Sequence, residues 1–359
     1  MSVATALLRP PADRAVSRYA DEVADAILVT AFGGPEGPDE VMPFLENVTR
    51  GRNVPRERLE EVAHHYARFG GVSPINQQNR ALIAALEHEL RQHDIHLPVY
   101  FGNRNWHPLL QDTVAQMTRD GVRRAFVVLA SAFSSYSGCR QYRENLHAAQ
   151  VAAGAAAPEL PRLRMFFNHP GFIEANTDRL RAALEQLPPD RRAGAHVAFT
   201  AHSIPRGMAD RCAYEAQLAE SARLVAEGAG LRDYGLAYQS RSGPSQVPWL
   251  EPDILDHLRT LDGRDVVVSP LGFLSDHMEV LYDLDVEAAE LAAELGIGFV
   301  RAGTPGTHPA FVAAIRELIQ ERLDPALPRR VAGSLPANHD TCPPACCLPG
   351  TDRPSPWDD

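Results

Sequence analysis

Short, continuous apolar runs that alternate with amphipathic segments constrain this chain more than any other feature. The runs are "AILVTAF" (26–32), "VYFG" (99–102), "AFVVLAS" (125–131), "LRMFF" (163–167), "HVAFTAHS" (196–203), "GLAYQS" (235–240), "DVVVSPLGF" (265–273) and "IGFV" (297–300). Between them lie segments such as "INQQNRALIAALEHELRQ", "TDRLRAALEQL" and "AYEAQLAESARLVAEGAG", with apolar residues at helical spacing. A strand that is apolar along its whole length is buried on both faces, which calls for parallel sheets covered by helices. Eight such strands in 359 residues fit two doubly wound α/β units better than one very wide sheet. The Ala/Gly/Pro-rich stretch "VAAGAAAPELPRL" (151–163) is the natural divide. The expected organisation is a flexible leader over 1–24, domains over 25–155 and 156–325, and a C-terminal extension over 326–359.

In open parallel sheets, ligands bind beyond the carboxyl ends of the strands. The unusual polar residues of this chain sit at those ends: "AFGGPEGP", "SAFSSYSGCRQY", "TAHSIP", "YQSRSGPSQVPWLEP" and "SPLGFLSDHME". A single cleft between the two domains is the economical reading. A net charge of −11 with no basic tract argues against a general nucleic-acid binder. No apolar run reaches the ~18 residues of a membrane helix, and the N-terminus lacks a secretory h-region. A cytoplasmic protein is expected.

The stretch "SDHMEVLYDLDVEAAE" (275–290) places Glu279, Asp283 and Glu287 at successive i, i+4 steps behind Asp276 and His277. Like charges so spaced cost a helix roughly 0.2–0.5 kcal/mol per pair. A solvated acidic face would produce the same pattern. Against it, the stripe follows a strongly apolar strand and lies among Leu281, Tyr282 and Leu284. Its repulsion would be relieved by a divalent cation or by bound protons, so the stripe can carry cations or relay protons towards an imidazole. "FTAHSIP" offers one: His202 at a strand end, able to act as metal ligand or proton acceptor near neutral pH. No G-x-S-x-G elbow surrounds Ser203, which excludes the usual hydrolase arrangement. "AFGGPEGP" is likewise neither a dinucleotide fingerprint nor a P-loop.

"FGGP", "RFGGVSPIN", the "HPL" element, "TAHSIP", "YQSRSGP…PWLEPD" and "SDHMEVLYDLD", in that order, resemble the ferrochelatases from about Ala26 to Leu323. That family inserts ferrous iron into a porphyrin. The resemblance implies two Rossmann-like domains gripping the porphyrin between them, with the last helix packing back on the first. It also implies that His202 and Glu279 are the catalytic pair and ligands of the substrate Fe(II). Asp283 and Glu287 then form a secondary cation or proton track, on a helix that π-winding could align. Two positions depart from some relatives: Phe32 stands where they carry Tyr, and Asn105 where they carry His.

The lip "NVTRGRNVPRERLEEVAHHYARFGGVSP" is polar and basic rather than apolar. In this it resembles the soluble Gram-positive, actinobacterial-type enzymes that metallate coproporphyrin III, whose four propionates Arg50, Arg52, His65, Tyr66, Ser73 and Tyr142 could contact. Protoporphyrin IX is the alternative substrate, and a non-catalytic tetrapyrrole-binding protein the alternative class. Several ferrochelatases hold a [2Fe–2S] cluster with one internal Cys and three in a C-terminal extension. Cys139 with Cys342, Cys346 and Cys347 in "TCPPACCLPG" matches that count, and a zinc site on the same four residues stays open. Cys212 is read as a packed or free thiol. The expected partners are coproporphyrin III and Fe(II), with transient contact to neighbouring haem-pathway enzymes, no nucleic acid, no integral membrane segment, and a monomeric state.

Overall fold

The computed structural model describes residues 24–243 and 246–350. The leader expected over 1–24 falls almost wholly outside the described residues. Among the described residues there are seven strands in two parallel sheets. The first holds β1 (Ala26–Ala31), β2 (Val99–Asn103) and β3 (Ala125–Leu129) in the order β2-β1-β3. The second holds β4 (His196–His202), β5 (Tyr234–Gln239), β6 (Val266–Ser269) and β7 (Phe299–Arg301) in the order β5-β4-β6-β7. β1 and β4 are flanked on both sides, so their runs are wholly or almost wholly buried, as continuous apolar strands require. No helix among the described residues is long and apolar enough to cross a membrane.

Two expected strands differ. "LRMFF" (163–167) forms no strand, although each of its five residues is buried. Glu159 and Leu163 donate to the β3 side and Pro161, between them, has no amide hydrogen to give, so the pairing shrinks to isolated bridges at Arg124–Glu159 and Val127–Arg162. Its side chains serve two cores: Leu163, Phe166 and Phe167 join the largest cluster, which spans both sheets, while Met165 joins the one behind β1 and β3. The run is a buried crossover. β6 stops at Ser269, short of the expected 273, because Pro270 breaks the ladder.

Three features position the site. The motifs "AFGGPEGP" and "RFGGVSPIN" lock together: Ser73 donates its amide to the Pro35 carbonyl at 2.8 Å, and a Cβ on Gly34 would lie 2.7 Å from that of Ser73. The helices Val41–Val48 and Arg56–Ala67 then pack Phe44, Leu59 and Tyr66 onto Met278, which opens the helix of the acidic stripe. Finally, the helix Pro309–Leu323 lies against both halves, with Arg316 paired to Glu89 at 2.9 Å.

Candidate active site

His202 is the last residue of β4, and β5 carries Gln239 directly beside it in register. The imidazole Nδ1 faces the Ser203 carbonyl, which can only accept, so Nδ1 holds the ring proton and Nε2 keeps its lone pair. Nε2 lies 3.7 Å from Glu279 Oε2, and His277 Nδ1 approaches the same oxygen at 3.8 Å. Tyr214 donates to the His202 carbonyl at 2.9 Å and so fixes the strand end beneath the ring. Burial pushes the His277 pKa down, leaving that imidazole neutral beside the carboxylate. The pair is reachable: the His202 side chain is 33% exposed and that of Glu279 51%.

The stripe behind Glu279 is a single helix from Met278 to Glu294 whose middle, Leu281–Ala288, is π-wound. On an α-helix, residues at i, i+4 drift by about 40° per step. The wider π turn rotates less per residue and offsets that drift, and such turns cluster at functional sites. Burial does not grow steadily along the stripe. Asp283 is half-buried, whereas Glu287 is exposed. Gln239 donates to the Glu279 carbonyl at 3.2 Å and to Asp283 Oδ2 at 3.3 Å, and Ser240 donates to the same oxygen. Desolvation, aided by Glu279 and Glu287, lifts the Asp283 pKa to about 7. Near neutral pH this carboxyl is divided between its acid and its base, as a proton relay requires.

That shift has a measurable consequence. Asp283 ionises from about pH 3.8 when unfolded but only near 7 when folded. Between those values the folded chain binds more protons, so this residue's contribution to stability falls as pH rises through the window. Asp283→Asn removes the titration. Its stabilising effect relative to the parent chain is expected to grow from about pH 4 to about pH 7 and then level off, read from thermal unfolding across that range. A pH-independent difference would mean that Asp283 is an ordinary solvated carboxylate.

The lip residues separate into two groups. Arg50 and Arg52 are exposed, and neither forms an ion pair among the described residues. His65 stacks flat on Tyr282 of the stripe helix, 3.6 Å between centroids, and Arg68 pairs with Glu290 at 3.1 Å. The lip therefore sits directly on the acidic helix. Tyr66, Ser73 and Tyr142 are each at least nine-tenths buried. Burial holds the Tyr66 phenol well above its ordinary pKa, beside Glu279. Phe32 rests edge-on against Phe44 at 6.3 Å and leaves a ring where an oxygen ligand would stand. Asn105 is tied into the lip, its carbonyl accepting from Asn47 at 2.8 Å. Sequence reasoning missed Arg104, whose guanidinium lies 5.6 Å from the Phe32 ring and 4.6 Å from that of Tyr142, and which donates to Asn145 at 2.8 Å. No local pattern announces it, because its neighbours come from the end of β1 and from the helix Gln141–Ala153, both distant in sequence.

The structure also brings the four clustered cysteines together. Cys139 lies in the π-wound turn Tyr136–Arg140, and the extension wraps back onto it. Asn338 donates to Ser134 at 2.7 Å, and Arg140 donates to the Cys346 carbonyl at 3.0 Å. Cys346 and Cys347 sulfurs are 3.6 Å apart. His339, unremarked in the sequence, reaches Cys342 at 3.3 Å and Cys346 at 3.7 Å, and the ligand atoms of these three lie within 4.8 Å of one another. Hydrogen bonding from Cys139 and Cys346, with the charge of Arg162, holds the Cys342 thiol far below its ordinary pKa. A set of thiols from two segments, with the Arg162 guanidinium against two of the sulfurs, fits a cysteine-held iron–sulfur cluster. Cys212 stands apart, turned to the carbonyl of Met208 at 3.4 Å.

Residues 24–323 match the family model described as Ferrochelatase. The chain belongs to the ferrochelatase family. It is similar to the coproporphyrin III ferrochelatase of Nocardia farcinica, 56% identical over 90% of this chain and 97% of that one. It is 54% identical to a ferrochelatase of Rhodopirellula baltica, over 92% and 95% of the respective chains. Among solved structures, the sirohydrochlorin chelatase SirB from Bacillus subtilis subspecies spizizenii superposes with a TM-score of 0.50 at 12% identity, covering 83% of this chain and 94% of that one. At that identity the likeness speaks to the fold alone. It agrees with the two helix-flanked parallel sheets expected of this ferrochelatase.

Proposed function

We propose that this ferrochelatase inserts Fe(II) into coproporphyrin III to give Fe-coproporphyrin. The observation that carries the reading is the His202–Glu279 pair, solvent-reachable at 3.7 Å and backed by a carboxyl poised near neutral pH. Insertion exchanges two pyrrole N–H protons for one dipositive ion, so the site must dehydrate the metal and remove protons together. Hydrated divalent ions prefer oxygen and imidazole ligands, which Glu279 and His202 supply. The His202 tautomer leaves one lone pair, at Nε2, so the imidazole releases the ion to Glu279 and the macrocycle before it accepts a pyrrole proton there. Asp283, poised near neutral pH one turn beyond Glu279 on the same helix, takes up the proton next, and the exposed Glu287 one turn further on leads it to solvent. Phe32 adds no ligand from the far side, so the His202 side carries both jobs.

The choice of porphyrin rests on Arg50 and Arg52, exposed cations without carboxylate partners among the described residues, and on the named substrate of the Nocardia relative. Each ion pair at such an exposed position is worth about 0.2–1 kcal/mol. The double variant Arg50→Ala/Arg52→Ala is therefore expected to raise KM for coproporphyrin III by several-fold with kcat unchanged. The deciding test is anaerobic Fe(II) insertion followed by porphyrin absorbance, with coproporphyrin III and protoporphyrin IX side by side. Preference for coproporphyrin III is expected. Preference for protoporphyrin IX would mean the basic lip does not read propionates, and tight binding without turnover would make the protein a tetrapyrrole carrier.

We further propose that Cys139, Cys342, Cys346 and Cys347 hold a [2Fe–2S] cluster. When bound, such a group supplies a one-electron redox centre. Cys139 is fixed by the Tyr136–Arg140 turn, and the other three by the contacts of Asn338 and Arg140 with the extension.

A further inference from the structure

Arg162 is buried at 8% exposure, in the crossover between the two sheets. A guanidinium so placed needs an anion, because an unpaired buried charge costs several kcal/mol. Among the described residues it has no carboxylate partner. It donates instead through Nη1 to Cys139 Sγ at 3.1 Å and through Nη2 to Cys342 Sγ at 2.9 Å. The two sulfurs belong to segments that meet nowhere else in sequence, one in the turn Tyr136–Arg140 and one in the C-terminal extension. The arginine itself is rigid. The amide of Val127 donates to Pro161 and that of Leu163 to Val127, both at 2.9 Å, and the Arg162 carbonyl accepts from Arg322 at 3.2 Å. Of the other cations nearby, Arg140 spends its guanidinium on the Pro344 and Cys346 carbonyls and on Glu144, and Arg322 pairs with Asp340 at 3.7 Å.

The geometry points to Arg162 as the positioning residue that sets the reduction potential of the cysteine-held cluster, through one fixed cation shared between two of its sulfur ligands. This rests on the cluster reading above. With four thiolates the cluster gains one negative charge when it takes up one electron. A cation hydrogen-bonded to two ligand sulfurs favours the reduced form and raises the potential, since charge and hydrogen bonds to sulfur are the main tuning levers of such centres.

The test is a redox titration of the full chain, purified without oxygen, with dithionite as the electron donor and the visible and EPR signals as readouts. Arg162→Gln keeps much of the volume and loses the charge, and Arg162→Lys keeps the charge but cannot span both sulfurs. Arg162→Gln is expected to disfavour reduction at least tenfold, about 59 mV for one electron. Arg162→Lys should recover part of that shift. Loss of the cluster from Arg162→Gln alone, with Arg162→Lys still loaded, would support the same dependence on charge. An unchanged potential in both loaded variants would overturn the inference, as would loss of the cluster from both in protein that still binds porphyrin. Iron and sulfide analysis of the unsubstituted chain separates the two failures: without a cluster there, both the inference and the cluster reading fall, while the insertion activity is judged independently.

Discussion

His202→Ala is expected to lower the rate of Fe(II) insertion by roughly 10²–10⁴-fold, the usual contribution of a positioned acid–base group. Porphyrin affinity should change little. The asymmetry follows from where the ring stands. Its Nδ1 is committed to the Ser203 carbonyl, so only Nε2 faces Glu279 and the space a substrate would enter. Alanine removes that lone pair, but the lip that packs on the stripe helix through Phe44, Tyr66 and Met278 is untouched. His277 cannot substitute, because burial lowers its affinity for a proton and its nearer nitrogen is turned to the same Glu279 oxygen. Anaerobic insertion assays paired with quenching of porphyrin fluorescence read both quantities. Parallel loss of binding and turnover would make His202 an anchor for the macrocycle, and the proton role would have to move to another residue.

The parts of this molecule legible in the sequence are those whose signal is local. β1 and β4 were readable because a strand flanked on both sides must be apolar throughout, and His202 because it closes such a strand before Pro205. The i, i+4 carboxylates marked the stripe helix through their own repulsion. What escaped reading was tertiary. Leu163–Phe167 has the composition of a strand, yet Pro161 withholds the amide that a ladder needs just before it, and its side chains divide between two cores. The spacing did not say that Asp283 would be half-buried and Glu287 exposed, since exposure depends on what packs over a helix and not on its spacing. Arg104, Arg162 and His339 carry no pattern at all. Each matters because of partners brought from distant segments, and a lone arginine after a proline says nothing of two sulfurs waiting for it. The cysteines were countable in sequence, whereas the charge that faces them was not.

Glu321→Ala is expected to destabilise the fold by roughly 3–5 kcal/mol, the cost of stripping the partner from a buried ion pair. Arg164 sits in the same crossover, with its side chain 1% exposed, and Glu321 lies on the helix Pro309–Leu323 at 8%. The contact is bidentate, Nε to Oε2 at 2.8 Å and Nη2 to Oε1 at 3.0 Å, and Nη2 also donates to the Arg330 carbonyl at 2.8 Å. Without the carboxylate the guanidinium keeps one carbonyl acceptor and no counter-charge, in a place that water does not reach. Urea denaturation would report the loss as a lower midpoint with an unchanged slope. The pair itself need not be stabilising, because its gain is set against the desolvation of two ions. Arg164→Met/Glu321→Leu, which removes both charges and keeps much of the volume, is therefore expected to recover most of the stability lost in the single variant. If the single variant cost less than about 1 kcal/mol, water must already enter this junction. If the double variant were as unstable as the single one, the geometry of the pair, and not its charge balance, would be what joins the crossover to the last helix.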